Sequence, residues 1–160
     1  MTIPNVNRTP LQDEIIEQVR QFGAGLVLFN QRVAERVGLH PTDLQCVNLL
    51  DLLGRSTPGR LAEWMGLTTG GVTVMLDRLE KTGYIKREPN PADRRSVLVR
   101  VNAKKMAMID AQYAGIARQF DEFISRVPET ELQLAITFFR QLNAIRMNAA
   151  IGVEMQDQPA

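Results

Sequence analysis

The chain has 160 residues, 44% of them hydrophobic, enough for one globular core carrying a helical extension. A single cysteine, Cys46, excludes an internal disulfide and a cysteine-built metal cluster, and neither a signal peptide in Met1–Pro10 nor an apolar run of about 18 residues is present, so a cytoplasmic protein without a membrane partner is expected. The formal net charge of +1 conceals an uneven distribution: residues 78–105 hold nine basic and three acidic side chains, a local +6, and the remainder stands at −5.

Leu11, Ile15, Ile16, Val19, Phe22, Leu26, Phe29 and Val33 recur at three and four residues, which predicts a long first helix ending near Gly38. Thr42-Asp43-Leu44-Gln45 has the form of a capping box for a second helix running to Gly54. Thr57 before Pro58 starts a short third helix, Gly59–Met65, closed by Gly66. Thr68 or Thr69 caps a fourth helix that stops at Gly83. Two short strands, Tyr84–Glu88 and Ser96–Val101, flank an exposed loop, Pro89–Arg95. Asn102 caps a long fifth helix broken at Pro128, and a sixth carries Leu132, Ile136, Phe139, Leu142 and Ile145, with fraying from about Gly152.

The fold class is therefore mainly α with a small β-hairpin wing: a winged helix-turn-helix part over residues 39–102, and a helical dimerisation part over 10–38 and 103–150, in one domain spanning 1–160. All six phenylalanines lie on the first helix and the last two, an apolar surface suited to pairing with a second copy in two-fold symmetry. The competing arrangement folds those helices back over one monomer.

On the fourth helix Val72, Met75, Leu76 and Leu79 form the buried face. The opposite face shows Gly70, Val74, Asp77 and Lys81, flanked by Thr73 and Arg78. The second helix of a helix-turn-helix enters the major groove of DNA, and each residue suits that surface. Thr68, Thr69 and Thr73 can bond phosphates or base edges, Val74 can meet a thymine methyl, and Arg78 and Lys81 suit phosphates. Gly70 and Gly71 weaken a helix, by up to about 1 kcal/mol each against alanine, and are explained if bulk there would obstruct close approach. The plainer reading is a surface helix with a neutral exposed face. The hairpin tip, Asp93-Arg94-Arg95, favours the nucleic-acid reading, because arginine suits a narrow, electronegative minor groove. Asp93 is expected to orient a neighbouring guanidinium through two parallel bonds.

The segments Leu61-Ala62-Glu63, Thr68–Thr73, Asp77–Tyr84 and Pro91–Ser96 resemble the MarR family of bacterial transcriptional regulators over about residues 10–150. The resemblance implies a homodimer with its fourth helices in successive major grooves and its wings in the flanking minor grooves. It makes Arg95 the minor-groove residue and gives Arg94 to a phosphate or to Asp93. Val74 stands where many members carry a basic residue, which moves affinity onto the wing. The family also implies a repressor of double-stranded DNA released by a small aromatic or phenolic effector, with Phe22, Leu26, Phe29 and Tyr113 as candidate pocket residues; alternatively these four belong to the core.

His40 receives no role, and Cys46 reads as a buried structural thiol. With one histidine, one cysteine and no recognisable catalytic motif, the chain is not expected to be an enzyme or to use a metal or cofactor. The remaining alternative is a winged-helix protein-interaction module that binds no specific DNA, which leaves the +6 segment and the arginine-tipped wing unexplained.

Overall fold

Threonine and proline start most of the helices of this protein, and glycine follows most of the shorter ones. The computed structural model describes residues 8–156, with side chains described for residues 8–145. The elements in order are α1 (Pro10–Val37), α2 (Pro41–Leu53), α3 (Pro58–Met65), α4 (Thr69–Lys81), β1 (Ile85–Pro89), β2 (Val97–Val101), α5 (Ala103–Ile124) and α6 (Glu129–Gln156). They form two compact units, residues 1–45 and 46–160, with the boundary inside α2.

In the first unit, Thr9 and Gln12 build a reciprocal capping box at the start of α1. Gly38 ends that helix in the left-handed region, φ 69°, where a side chain would be strained. The expected box at Thr42 does not form. Pro41 has no amide to satisfy and its φ is preset for a first helical position, so α2 begins before Thr42. Thr42 consequently sits in the first turn, and its amide donates to Nδ1 of His40 at 3.3 Å. His40 thus caps the helix. Leu39, Asp43 and Leu44 are buried there.

In the second unit, Thr57 caps α3 by accepting from the Arg60 amide at 3.3 Å, and Gly66 closes it at φ 61°. Val72, Met75, Leu76 and Leu79 are the buried residues of α4, as the 3.6-residue period requires. Together with Leu61, Ala62, Tyr84, Ile85 and Val99 they belong to the buried core. Cys46 is buried as well, as its apolar setting implied.

The strands are antiparallel, with Ile85 opposite Val101 and Arg87 opposite Val99. Each begins one residue later than the alternation predicts. Tyr84 is instead held by the turn, its amide donating to the Leu79 carbonyl at 2.9 Å. Ser56 adds a one-residue bridge to Val99, and this pairing ties the approach to α3 to the wing. Asn102 caps α5 through the Lys104 amide at 3.1 Å, as expected. The backbone of α6 continues to Gln156, past the expected fraying point at Gly152, where the side chains lie outside the described range.

Much of the apolar stripe on the long helices stays in contact with solvent. Ile116, Phe120 and Phe123 on α5 and Ile136, Phe138 and Phe139 on α6 are exposed, and so are Leu11, Ile15, Phe22 and Leu26 on α1. Among the described residues, no helix is long and apolar enough to cross a membrane.

Candidate nucleic-acid interface

Burial of its apolar face turns the other side of α4 outward. Thr69, Gly70, Thr73, Val74, Asp77, Arg78 and Lys81 are all exposed, and Val74 at 63% is a bare apolar contact on that surface. Thr68 is the N-cap: its hydroxyl oxygen accepts from the Gly71 amide at 3.2 Å, which leaves its proton available to an outside acceptor. The Thr73 hydroxyl is committed differently, donating to the Thr69 carbonyl at 2.8 Å. It can receive a base donor through its lone pairs, but must break that bond to reach a phosphate.

The two glycines separate. A Cβ on Gly71 would come within 3.2 Å of the Thr68 hydroxyl, so its smallness serves the cap. A Cβ on Gly70 would meet nothing within 4 Å. Packing inside the fold therefore does not require Gly70 to be small, whereas the cap accounts for Gly71.

The wing tip is a closed set of hydrogen bonds that displays its arginines. Asn90 donates its side-chain amide to the Ser96 hydroxyl at 2.7 Å and accepts from the Ala92 amide at 3.1 Å. The Ser96 amide and hydroxyl both donate to the Asp93 carbonyl. The Asp93 carboxylate accepts from the Arg95 amide at 3.0 Å, while the Arg95 Nε lies 3.7 Å away. The expected pair of parallel bonds to a guanidinium is absent, and the partner is Arg95 rather than Arg94. A carboxylate two residues ahead of an amide closes an Asx-type turn more readily than it reaches along a side chain. The Arg95 side chain is consequently 95% exposed.

Part of the basic segment is turned inward. Arg87 on β1 donates Nη2 to Asp77 at 2.7 Å and Nη1 to Glu80 at 2.5 Å, while its own amide reaches Glu80 at 3.4 Å. Burial draws the Arg87 pKa down, and the bonds and charges of Asp77 and Glu80 outweigh that and raise it. On the other face of the hairpin, Arg100 bonds Glu88, and Arg55 lies 3.8 Å from the same carboxylate. Asp77 is thus an ion-pair partner within the fold, and Arg87 and Arg100 are not groups reserved for a polyanion. Lys81, Lys86, Arg94 and Arg95 carry exposed positive charge on this part of the molecule.

Reading the sequence missed Arg87, Asn90 and Ser96. The alternation of β1 puts Arg87 on the face of Ile85, and Asn90-Pro91 announces a turn, so both signals were present. Of the candidate pocket residues, Phe22 and Leu26 are exposed on α1 and Phe29 is half-buried. Tyr113 is half-buried on α5, where its hydroxyl accepts from the side-chain Nδ2 of Asn48 on α2 at 3.1 Å. Among the described residues no group of three or more His, Cys, Asp or Glu side chains is placed to hold a metal ion.

Residues 39–97 match the model of the MarR family. The chain is 37% identical over 133 residues to an uncharacterized helix-turn-helix-type transcriptional regulator of Bacillus subtilis, YcgE, covering 82% of this chain and 86% of the relative. Its fold is shared with NadR in complex with 4-hydroxyphenylacetate, at a TM-score of 0.62 and 17% identity, over 88% of this chain and 97% of NadR. It is shared too with a cysteine-to-serine mutant of MarR from E. coli complexed with operator DNA, at a TM-score of 0.50 and 21% identity, over 84% of this chain and 99% of the other. With α4 and the hairpin arranged as described, these likenesses show that the chain belongs to the MarR family of helix-turn-helix transcriptional regulators.

Proposed function

We propose that this regulator is a homodimer that grips double-stranded DNA with α4 in the major groove and the hairpin wing in the minor groove. The observation that carries the reading is the wing tip: a turn closed by Asn90, Asp93 and Ser96 that holds the Arg95 side chain 95% exposed, beside a recognition helix with an open outer face. Thr68, Thr69, Gly70, Thr73, Val74, Arg78 and Lys81 form the major-groove surface, with Gly71 supporting the cap. Arg94 and Arg95 serve the wing, which Asp93 shapes. The complex of the E. coli protein with operator DNA supports DNA as the partner.

The exposed phenylalanines of α5 and α6 support the dimer, because a monomer rarely leaves so large an apolar face in water. Two copies would place two α4 helices about one turn of DNA apart. Repression released by a small phenolic compound is the regulatory mode we favour, supported by the 4-hydroxyphenylacetate complex of NadR. Phe22, Leu26, Phe29 and Tyr113 are the pocket candidates. The whole chain, residues 1–160, acts as one such unit, with residues 39–102 binding DNA, residues 10–38 and 103–150 pairing the copies, and the cytoplasm as its setting.

Binding of the pure protein to duplex DNA at several salt concentrations tests this reading. Affinity should fall steeply with salt, since each neutralised phosphate releases counterions. Arg95→Ala should weaken binding to a selected duplex by roughly 1–3 kcal/mol. A protein-interaction module would bind DNA weakly at every salt concentration, and an unchanged isotherm for Arg95→Ala would remove the wing from the mechanism.

A further inference from the structure

We propose that Arg87 is a positioning residue for DNA recognition: it clamps the root of the wing to α4 through Asp77 and Glu80, so that helix and wing meet DNA at a set spacing. The inference rests on the DNA-binding reading above and adds to it a residue that touches no DNA.

The geometry separates Arg87 from the other arginines of the basic segment. Alternation along β1 turns Lys86 outward and Arg87 to the side of Ile85, which is fully buried, and of its cross-strand partner Val99, also buried. Its side chain is only 25% exposed, against 95% for Arg95. Asp77 and Glu80 lie three residues apart on α4, the spacing that stacks two side chains on one helix face. A planar guanidinium has separate nitrogens for the two carboxylates and uses both, at 2.7 and 2.5 Å, while the second oxygen of Glu80 takes the Arg87 amide. Lysine carries a single nitrogen and cannot reproduce this fork.

The position matters because of what lies at either end of β1. The start of the strand is fixed to the end of α4 by the Tyr84 amide on the Leu79 carbonyl, and the turn between them is held to the end of β2 by the Asn102 side-chain amide on the Gly83 carbonyl, 2.9 Å. Beyond Arg87 the strand leads to the arginine-bearing tip. Arg87 is therefore a side-chain link between the recognition helix and the part of the hairpin that the groove contacts depend on. The alternative role, in which Arg87 merely offsets two carboxylates that would repel phosphate, is distinguished from clamping by a charge-conserving substitution.

The double substitution D77N/R87Q removes one charge of each sign, so net charge is conserved while the fork is lost. Full-length wild type, D77N, R87K and D77N/R87Q are titrated against a duplex that wild type selects from a random pool, and against an unrelated duplex, at several salt concentrations. Clamping predicts that D77N/R87Q loses about tenfold in affinity for the selected duplex, comparable to one groove contact, with the salt slope and the affinity for the unrelated duplex unchanged. R87K should fail to restore binding, and D77N should fall between. Near-wild-type binding by D77N/R87Q overturns the proposal in favour of charge compensation. A salt slope shallower by about 0.9 overturns it in favour of a direct phosphate contact. Should the double variant prove unfolded by circular dichroism, D77N and R87K decide alone: wild-type affinity in both overturns the clamp. If wild type itself selects no duplex, it is the DNA-binding reading that fails.

Discussion

A Cβ on Gly70 would meet empty space and one on Gly71 would press on the Thr68 hydroxyl at 3.2 Å, so two adjacent glycines answer to different constraints. Nothing inside the fold requires Gly70 to be glycine. Gly70→Ala is therefore expected to raise stability by roughly 0.5–1 kcal/mol, the ordinary helix gain, read as a higher melting temperature. Gly71→Ala should gain less, because the cap must shift to admit the methyl. Gly70→Leu should keep the fold but lose DNA affinity, and full binding by that variant would show that no partner approaches there. Thr68 and Thr73 differ in the same local way. One hydroxyl keeps its proton for an outside acceptor and the other has given it to the helix.

Among the elements, the hairpin shows how a charge-rich strand pair organises itself. Arg87 faces α4 and Glu88 faces away, where Arg100 bonds it and Arg55 stands nearby. The Arg100 bond is the main cause that holds the Glu88 carboxyl below its usual value; burial opposes it, and the charges of Arg100, Arg55 and Lys86 add to it. A depressed carboxyl pKa means the unfolded chain takes up the proton first as pH falls. The Glu88 contribution is thus complete above the ordinary value of about 4.3 and disappears as pH drops through the folded value. Glu88→Gln should accordingly be less stable than wild type at pH 7, with the gap in thermal melting closing below about pH 4. A gap independent of pH would show that the charge is not what Glu88 contributes.

At the scale of the whole molecule, the exposed apolar residues of the long helices call for a cover. Phe123 at 64% and Phe22 at 65% exposure are far from the burial that phenylalanine normally finds. Each such ring is worth about 1.5–3 kcal/mol when fully covered, and a two-fold interface would count each ring it buries once per copy. Phe123→Glu is predicted to convert a dimer to a monomer in sedimentation at micromolar concentration, with helix content preserved. DNA affinity should fall with it, because a single half-site loses its tethered neighbour. A monomeric wild type in the same experiment would refute the pairing.

Elements and capping residues were legible in the sequence because they depend on short-range chemistry. Thr57-Pro58 and the glycines at 38, 66 and 83 act within a turn of the chain, and the 3.6-residue stripe of α4 alone determined its buried face. The family and the outward residues of α4 followed from the same local patterns. Where two local signals competed, the reading failed: at α2 the preset φ of Pro41 displaced the Thr42 box and handed the cap to His40. The partners of the charges were decided only in three dimensions. Arg87 reaches ten residues back to Asp77, Arg100 twelve back to Glu88, and Asp93 chooses the amide of Arg95 over any guanidinium. Composition counts all these groups alike, because an ion pair depends on distance through space, and only the folded hairpin brings the carboxylates of one element to the cations of another.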